Sequence, residues 1–427
     1  WRYGWQHLPK LGAWNAEMLW GLAPSNTALS YPPPVAHIGH GPAGIAHYPG
    51  TGLPDTFRDC FFYADFPGGI RYFRLEPSGA SFRVANAGKW LESNSPDERE
   101  GKLLWNLYPT DIEFGPDGGA YVLDWVAGWE KTGKGRIWRV HDPAVDAGKE
   151  VQEVKALLAS ALKSDSADLF KLMKFLNHPD SRIRAEAEHV LTTTASGHSS
   201  YFVALGVATG TNNPPASRVQ ALRAAHSIAS RLRTIVVEDD GGSVQLSGKP
   251  EKPSKQELGT IQLRIMRGLL EGRIGNAELR AQACQLVTTF AGAELSDALL
   301  NALADASPRV RFFAAQSLGK LGRNEAIQPL LKLLRTNADQ DATVRHAAVH
   351  ALVRIGDTDA LLAAAKDSSA SVRLGACLAL RRLMHPGIAQ FLDDPDPRIV
   401  LEAARAINDL PIESALPKLA AKVGQAS

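Results

Sequence analysis

The chain has 427 residues, enough for two or three domains that each bury a core. Apolar residues make up 44% and charged residues 22% of it, as in ordinary globular proteins. The net charge of +2, with no basic stripe dominating any segment, argues against a dedicated nucleic-acid-binding protein. No apolar run approaches the roughly 18–20 residues of a membrane span, so no transmembrane segment is predicted.

The chain opens at Trp1 inside a tryptophan-rich segment, which suggests a processed or truncated protein. Residues 1–30 are predicted to lead into the first domain. The cysteines Cys60, Cys284 and Cys377 lie far apart and form no C-x-x-C-H sequence. They therefore predict small buried apolar residues, and neither a c-type haem site nor a metal site is predicted from them.

Residues 31–145 carry the pattern of antiparallel strands. Short runs of strand formers are separated by Gly, Pro and Asp, at 44–48, 60–65, 70–75 and 81–84, and again at 110–114, 120–125 and 135–140. Asp65-Phe66 recurs as Asp124-Trp125 at a spacing of about 60 residues, which is typical of propeller blades. We predict the C-terminal blades of a β-propeller, although two such units cannot close a ring.

From about residue 150 the pattern becomes helical, with a recurring marker of Asp followed by a β-branched residue and Arg. It occurs at Asp305 with Val310-Arg311, at Asp341 with Val344-Arg345 and at Asp367 with Val372-Arg373. Each marker precedes Ala and Leu at helical spacing, which predicts helix pairs that share a core by stacking. We therefore predict a HEAT-like α-solenoid over residues 150–235 and 257–427, interrupted by a flexible insertion at 236–256. The Asp of one unit is expected to pair with the Arg of the next.

Two long sequence runs are similar to a known family. The runs are Gly41 through Pro54, and Pro109 through Gly118 continuing to Ile137. They resemble the planctomycete-type membrane-bound dehydrogenases, which combine a propeller similar to quinoprotein glucose/sorbosone dehydrogenases with HEAT repeats and usually a C-terminal c-type cytochrome domain. The resemblance covers residues 1 to about 145 and extends to the helical half by architecture.

The resemblance implies an extracytoplasmic, periplasmic or membrane-associated oxidoreductase that uses pyrroloquinoline quinone and passes electrons to haem. Its substrate would be a small molecule such as a sugar or an alcohol. Two features differ from the family. The chain has no C-x-x-C-H, and the stretch Tyr108 to Asp111 lacks the two arginines that quinone-type sugar dehydrogenases place before this turn.

The candidate catalytic and cofactor-binding residues all lie in the strand-rich half. Asp65, Asp111 and Asp124 follow or precede strands, where a carboxylate acts as a base or caps a turn. The candidates for cofactor binding are His40, Trp125 and Arg136, and packing or loop roles explain them as well or better. His346 and His350 lie four apart on a helix, which suits either a shared metal or an exposed face.

Two function classes follow from these patterns. The first is a fragment of an exported oxidoreductase whose solenoid mediates protein interaction. The second is a non-catalytic propeller/HEAT scaffold that binds a protein partner on the solenoid surface.

Overall fold

The structure is a computed structural model that describes residues 35, 41–85, 101–127, 130, 133–160, 168–193, 197–234, 255–273, 275–287, 294–409 and 411–426. The segment 1–30, His40 and nearly all of the insertion at 236–256 lie outside these residues. The chain divides into two compact units. One contains residues 35–78 and 82–259, and the other contains residues 260–427 together with 79–81. The first helices thus belong to the same unit as the strands.

The strand-rich part contains nine described strands. They are β1 Pro42–His47, β2 Phe61–Asp65, β3 Gly69–Phe73, β4 Leu75–Ser78, β5 Ser81–Val84, β6 Lys102–Leu104, β7 Pro109–Phe114, β8 Ala120–Asp124 and β9 Arg136–Val140. The first sheet has the order β1-β2-β3-β6, the second sheet has the order β7-β8-β9, and β4 pairs with β5. The predicted antiparallel strands are present, whereas a closed propeller is not shown by the described residues, so the propeller remains a prediction.

The two sheets repeat the same local geometry. In the first sheet Pro42 lies opposite Asp65, and in the second Pro109 lies opposite Asp124, with a register shift directly after each proline. The repeat of Asp65 as Asp124 that is visible in the sequence is therefore a structural repeat. The sheets differ at their outer edges, because β3 pairs with β6 whereas no described strand pairs with the outer edge of β9.

Apolar side chains from both sheets form one core. Phe62 and Ile70 of the first sheet and Val122 of the second are fully buried. The rings of Phe62 and Phe114 meet edge to face with centroids 5.2 Å apart. Burying each such side chain contributes about 2 kcal/mol, so this core accounts for why the sheets pack face to face. Cys60 lies in it as a buried thiol, and Cys284 and Cys377 are also buried without disulfides, which confirms the prediction for the cysteines.

Six described helices belong to the first unit: α1 Pro143–Asp146, α2 Lys149–Ala159, α3 Leu169–Leu176, α4 Ser181–Thr193, α5 Gly197–Thr209 and α6 Pro215–Thr234. Helix α1 begins after Asp142, whose carboxylate accepts the amide of Ala144, and Pro143 fits its first turn. Helix α3 is capped in the same way by Asp168. Among the described helices, none is both long and apolar enough to cross a lipid bilayer.

The second unit is built of paired helices. They are α7 Lys255–Leu270, which begins just before the unit boundary, α8 Ala277–Val287, α9 Ser296–Ala302, α10 Pro308–Leu321, α11 Ile327–Asn337, α12 Ala342–Ile355, α13 Thr358–Ala364, α14 Ala370–Arg382, α15 Pro397–Asp409 and α16 Leu416–Ala426. Helices α8, α10, α12, α14 and α15 pack side by side in one layer. A shorter helix before α10, α12 and α14 covers each of them, and a 3-10 helix does so for α15. This is the helical, solenoid-like architecture that the sequence predicted.

The marker arginine closes the turn in front of its own helix. Arg311 donates to the carbonyls of Asp305 and Ala306, and Arg373 donates to those of Asp367 and Ser368. The aspartate side chains then accept the amide two residues further on, as Asp305 does from Ser307. Because backbone groups in these turns lack helical partners, the two side chains satisfy groups that would otherwise be unpaired.

Ion pairs between successive repeats run in the opposite direction from the one expected. Arg280 pairs with Asp305 of the following repeat at 2.8 Å, and Arg373 pairs with Asp394 at 2.8 Å. The expected pairing of an Asp with the Arg of the next repeat is therefore wrong for these pairs. Arg280 and Arg373 extend from their helices toward the following turn, where the aspartate lies, whereas Arg345 pairs with Asp339 of the turn before its own helix.

Candidate functional site

The strand-end carboxylates Asp65 and Asp124 occupy equivalent positions in the two sheets. Asp65 is fully buried and accepts hydrogen bonds from the amide of Gly41 at 2.9 Å and from Nε of Arg71 at 3.3 Å. Asp124 accepts from the amide of Tyr108 at 3.0 Å, the residue directly before β7. Each carboxylate therefore joins the end of one strand to the start of the preceding one, which is a structural role.

Asp124 has two further donors, the amide of Val126 and Nε1 of Trp138, each at 3.0 Å. Burial acts to raise the pKa of Asp124, but the hydrogen bonds from Trp138, Val126 and Tyr108 outweigh it and hold the pKa below its ordinary value. The carboxylate is thus ionised at neutral pH and fully engaged, which makes it a poor proton acceptor for a substrate.

Asp111 differs from the other two carboxylates. It is exposed, and its Oδ1 accepts the amide of Ile112 at 2.9 Å while packing against Gly44 of β1. His47 is the last residue of β1, and its ring meets Phe61 edge to face. Burial lowers the pKa of His47, with a contribution from the nearby Arg184.

A shallow, open depression brings three of the candidate residues together. It has a volume of about 590 Å³ and contains Asp124, Trp125 and Arg136, with Thr110, Leu123, Gly135 and Ile137 completing its lining. Leu123 and Ile137 lie opposite each other on β8 and β9 and are 41% and 69% exposed. The surface is therefore mainly apolar with one guanidinium group at its border.

Within the first unit, a buried polar cluster joins the strand-rich part to the start of helix α4, which we call the first repeat. Asp180, which is fully buried, accepts a hydrogen bond from the hydroxyl of Thr51 and two from the guanidinium of Arg182. Arg182 also donates to the carbonyl of Gly115, and the amide of Ser181 donates to the carbonyl of Pro49 at 2.8 Å. Burial acts to raise the pKa of Asp180, and the bonds from Arg182 and Thr51 lower it below the ordinary value.

The sequence pattern gave only a partial signal for this cluster. Asp180 precedes Ile183-Arg184, which is similar to the repeat marker, whereas no sequence pattern distinguishes Thr51 or Arg182. The same local arrangement recurs in the last repeat, where Asp396 accepts the amide and the guanidinium of Arg398. The recurrence of Asp-x-Arg before a helix was the signal that could have identified Arg182.

The second unit presents an aromatic patch. In α10, Phe312 and Gln316 lie one and five residues after the marker arginine Arg311. In α12, His346 and His350 lie one and five residues after the marker arginine Arg345. All four side chains are half-buried. Helices α10 and α12 are neighbours, so these positions lie on adjacent parts of one layer. The two histidine rings are stacked with centroids 6.0 Å apart, and Phe312 meets Phe313 edge to face at 5.0 Å. We call these four residues the aromatic patch.

No group of three or more His, Cys, Asp or Glu side chains suited to a metal ion occurs in the part of the chain that the structure describes.

Comparison with known proteins identifies the repeats. Residues 268–353 match the family described as HEAT repeats, so the chain contains HEAT repeats over α8 to α12. No curated protein matches the sequence. The matched region includes the whole aromatic patch.

Several solved structures show a distant likeness. The YibA protein of Escherichia coli is 16% identical over 64% of this chain and 97% of its own, with a TM-score of 0.37. An engineered protein is 20% identical over 58% of this chain and 98% of its own, with a TM-score of 0.25. A second engineered protein is 18% identical over 65% of this chain and 79% of its own, with a TM-score of 0.28. At these TM-scores the likenesses carry no argument about fold or function.

Proposed function

We propose that this protein is a scaffold whose HEAT repeats bind a protein partner through the aromatic patch. The observation that carries the proposal is the match of residues 268–353 to HEAT repeats, the stretch in which the patch lies. Stacked helical repeats form extended surfaces that suit protein partners.

The chemistry of the patch supports this use. Aromatic side chains are enriched at protein interfaces because they bury a large area at little cost in conformational entropy. The patch residues are anchored by fully buried neighbours such as Val310, Ala314 and Val344 on the same helices. A surface that is already ordered before binding loses little entropy when a partner docks.

The turns beneath the patch contribute to that order. Arg311 and Arg345 lie one residue away from Phe312 and His346 and are held by the turn before each helix, Arg345 through Asp339. A rigid backbone at these positions fixes the direction of the patch side chains. The partner predicted from this geometry is a protein segment that places apolar side chains on Phe312 and polar groups on the imidazoles.

The proposal is tested by site-specific photo-crosslinking in the full-length protein. A photoreactive phenylalanine analogue is placed at position 312, at position 346, and at the exposed Lys332 of α11, which lies in the covering helix and serves as a matched control. We expect one and the same protein to be captured from positions 312 and 346 and not from 332. Once that partner is purified, Phe312→Asp should weaken its binding at least tenfold. Equal capture from all three positions would contradict the proposal.

The oxidoreductase is kept as a second proposal, favoured by the depression that contains Asp124, Trp125 and Arg136. The described residues do not fit pyrroloquinoline quinone well. That cofactor carries several carboxylates, whereas Arg136 is the one cation among the described lining residues and Asp124 adds a negative charge. The extracytoplasmic location also remains a proposal. Titration of the full-length protein with the quinone, followed by its absorption spectrum, tests this function; no spectral change at a cofactor concentration of about 100 μM would end it.

A further inference from the structure

We propose that the outer edge of β9 binds an extended, acidic segment of a partner protein as an added strand. This surface lies in the first unit and does not depend on the HEAT repeats. The proposal rests on the comparison of the two sheets, on the charge along β9 and on the position of the depression.

The first sheet shows what an equivalent edge accommodates. Strand β3 occupies the place in the first sheet that β9 occupies in the second, because Asp65 pairs with Gly69 as Asp124 pairs with Arg136. The outer edge of β3 carries β6, with Ile70 opposite Leu104. The corresponding residue Ile137 has no strand partner beyond it among the described residues and is 69% exposed. A strand edge with unpaired backbone groups is the surface on which peptide strands add.

The charge on β9 selects the added strand. Arg136 is exposed at the start of β9, and its guanidinium lies 5.5 Å from the ring centroid of Trp138. In the first sheet β6 places Lys102 opposite Arg71, and the residue of β9 equivalent to Arg71 is Trp138, whose ring lies next to the guanidinium of Arg136. A lysine opposite Trp138 would be repelled by this guanidinium, whereas a carboxylate at the same place would be attracted. The expected partner therefore carries Asp or Glu where β6 has Lys102.

The depression provides a place for the residue that follows the added strand. In the first sheet the backbone of Trp105, directly after β6, lies against Gly69. The equivalent location in the second sheet is beside Arg136, which borders the depression lined by Leu123 and Ile137. An apolar or aromatic side chain at the end of the added strand would lie there. The predicted segment of the partner therefore has an acidic residue, two apolar residues and an aromatic residue, in the places that correspond to Lys102, Leu103, Leu104 and Trp105.

The test uses a defined peptide. Residues Gly101–Asn106 are synthesised with the substitution Lys102→Glu, and binding to the full-length protein is measured by fluorescence anisotropy. We expect saturable binding, a loss of at least tenfold with Arg136→Glu in the protein, and a preference of the Arg136→Glu protein for the peptide with the native lysine. Phe170→Glu is the control, because Phe170 is another exposed apolar residue of the same unit, and it should leave binding unchanged.

Backbone pairing is tested separately by N-methylation of the peptide at Leu103 or at Leu104. Alternate residues of a strand donate to a given neighbour, so one of the two methylated peptides should lose binding and the other should keep it. Binding that is insensitive to both methylations and to Arg136→Glu would overturn the proposal, as would the absence of binding.

The same assay tests whether a segment of this chain, and not a partner protein, occupies the outer edge of β9. The sequence Glu17-Met18-Leu19-Trp20 is similar to that of β6 and has the expected acidic residue. If Leu19→Asp in the full-length protein raises the affinity for the peptide more than tenfold, the chain's own segment competes for the edge, and the assignment to a partner protein is overturned. Unchanged affinity supports the partner.

Discussion

Replacement of Asp180 by alanine is the sharpest test of how the strands are joined to the first repeat. The side chain of Asp180 is 0% exposed, and that of its ion-pair partner Arg182 is 21% exposed. The substitution removes the acceptor for Thr51 and Arg182 and the cap for the amide of Arg182 at the start of α4. The guanidinium of Arg182 would remain partly buried beside the carbonyl of Gly115.

The size of the effect follows from these contacts. Removal of one partner of a buried ion pair costs about 3–5 kcal/mol, and the partial exposure of Arg182 places this case at the lower end. Loss of a helix cap accounts for about 1 kcal/mol of that effect. We therefore expect Asp180→Ala to lower the free energy of unfolding by about 3 kcal/mol.

Asp396 provides a matched control. It makes the same bonds to Arg398, but the two side chains are 17% and 43% exposed, and surface ion pairs contribute about 0–1 kcal/mol. Asp396→Ala should therefore cost about 1 kcal/mol, mostly from the lost cap.

Urea unfolding measures both values. Trp105, Trp125 and Trp138 lie in the same unit as Asp180, so tryptophan fluorescence reports on the unfolding of this unit, and far-UV circular dichroism follows the helices of both units. Equal destabilisation by the two variants would refute the role assigned to the Asp180 cluster.

Three further predictions follow from single residues. Burial lowers the pKa of His178, whose Nδ1 accepts the amide of Asp180 at 3.0 Å, so the unfolded chain takes up a proton first as the pH falls below about 6.5 and stability declines. His178→Asn keeps an acceptor and should flatten this decline in urea unfolding between pH 7.5 and 5; an unchanged slope would exclude His178 as its source. Gly52→Ala should lower the free energy of unfolding by more than about 2 kcal/mol, because a Cβ at Gly52 (φ +107°) would collide with the backbone of Gly118. Gly133→Ala should cost about half as much, because Gly133 (φ +68°) has open space around it. Equal changes in the urea midpoints of the two variants would contradict this. Burial raises the pKa of the Cys284 thiol to about 12 and that of Cys377 further, so neither should react with a thiol reagent in native protein at pH 8, and rapid labelling without unfolding would disprove their burial.

The elements of the fold could be predicted from the sequence where local periodicity decides the structure. The run of strand formers at 110–114, bounded by turn residues, indicated β7, and the marker with Val344-Arg345 indicated α12, because both are local patterns. The grouping of the first helices with the strands could not be predicted in this way. It depends on contacts such as Thr51 with Asp180, which join residues 129 positions apart and leave no periodic trace.

The candidate site was predicted only in part. Asp124, Trp125 and Arg136 were named from the sequence, and they do border one depression. Their roles could not be inferred from residue type, because the three donors that engage Asp124 come from three different places in the chain. The aromatic patch was recognisable only as His346 and His350; its Phe312 and Gln316 became visible once α10 and α12 were known to be neighbours.

The central claim is that the HEAT repeats bind a protein through the aromatic patch. Hydrogen–deuterium exchange of the full-length protein with and without the partner captured at position 312 tests it most directly. The account predicts that the partner slows exchange in 308–321 and 342–355, and that Phe312→Asp abolishes this protection at the same concentrations. Protection confined to other segments, or unaffected by Phe312→Asp, would contradict the claim.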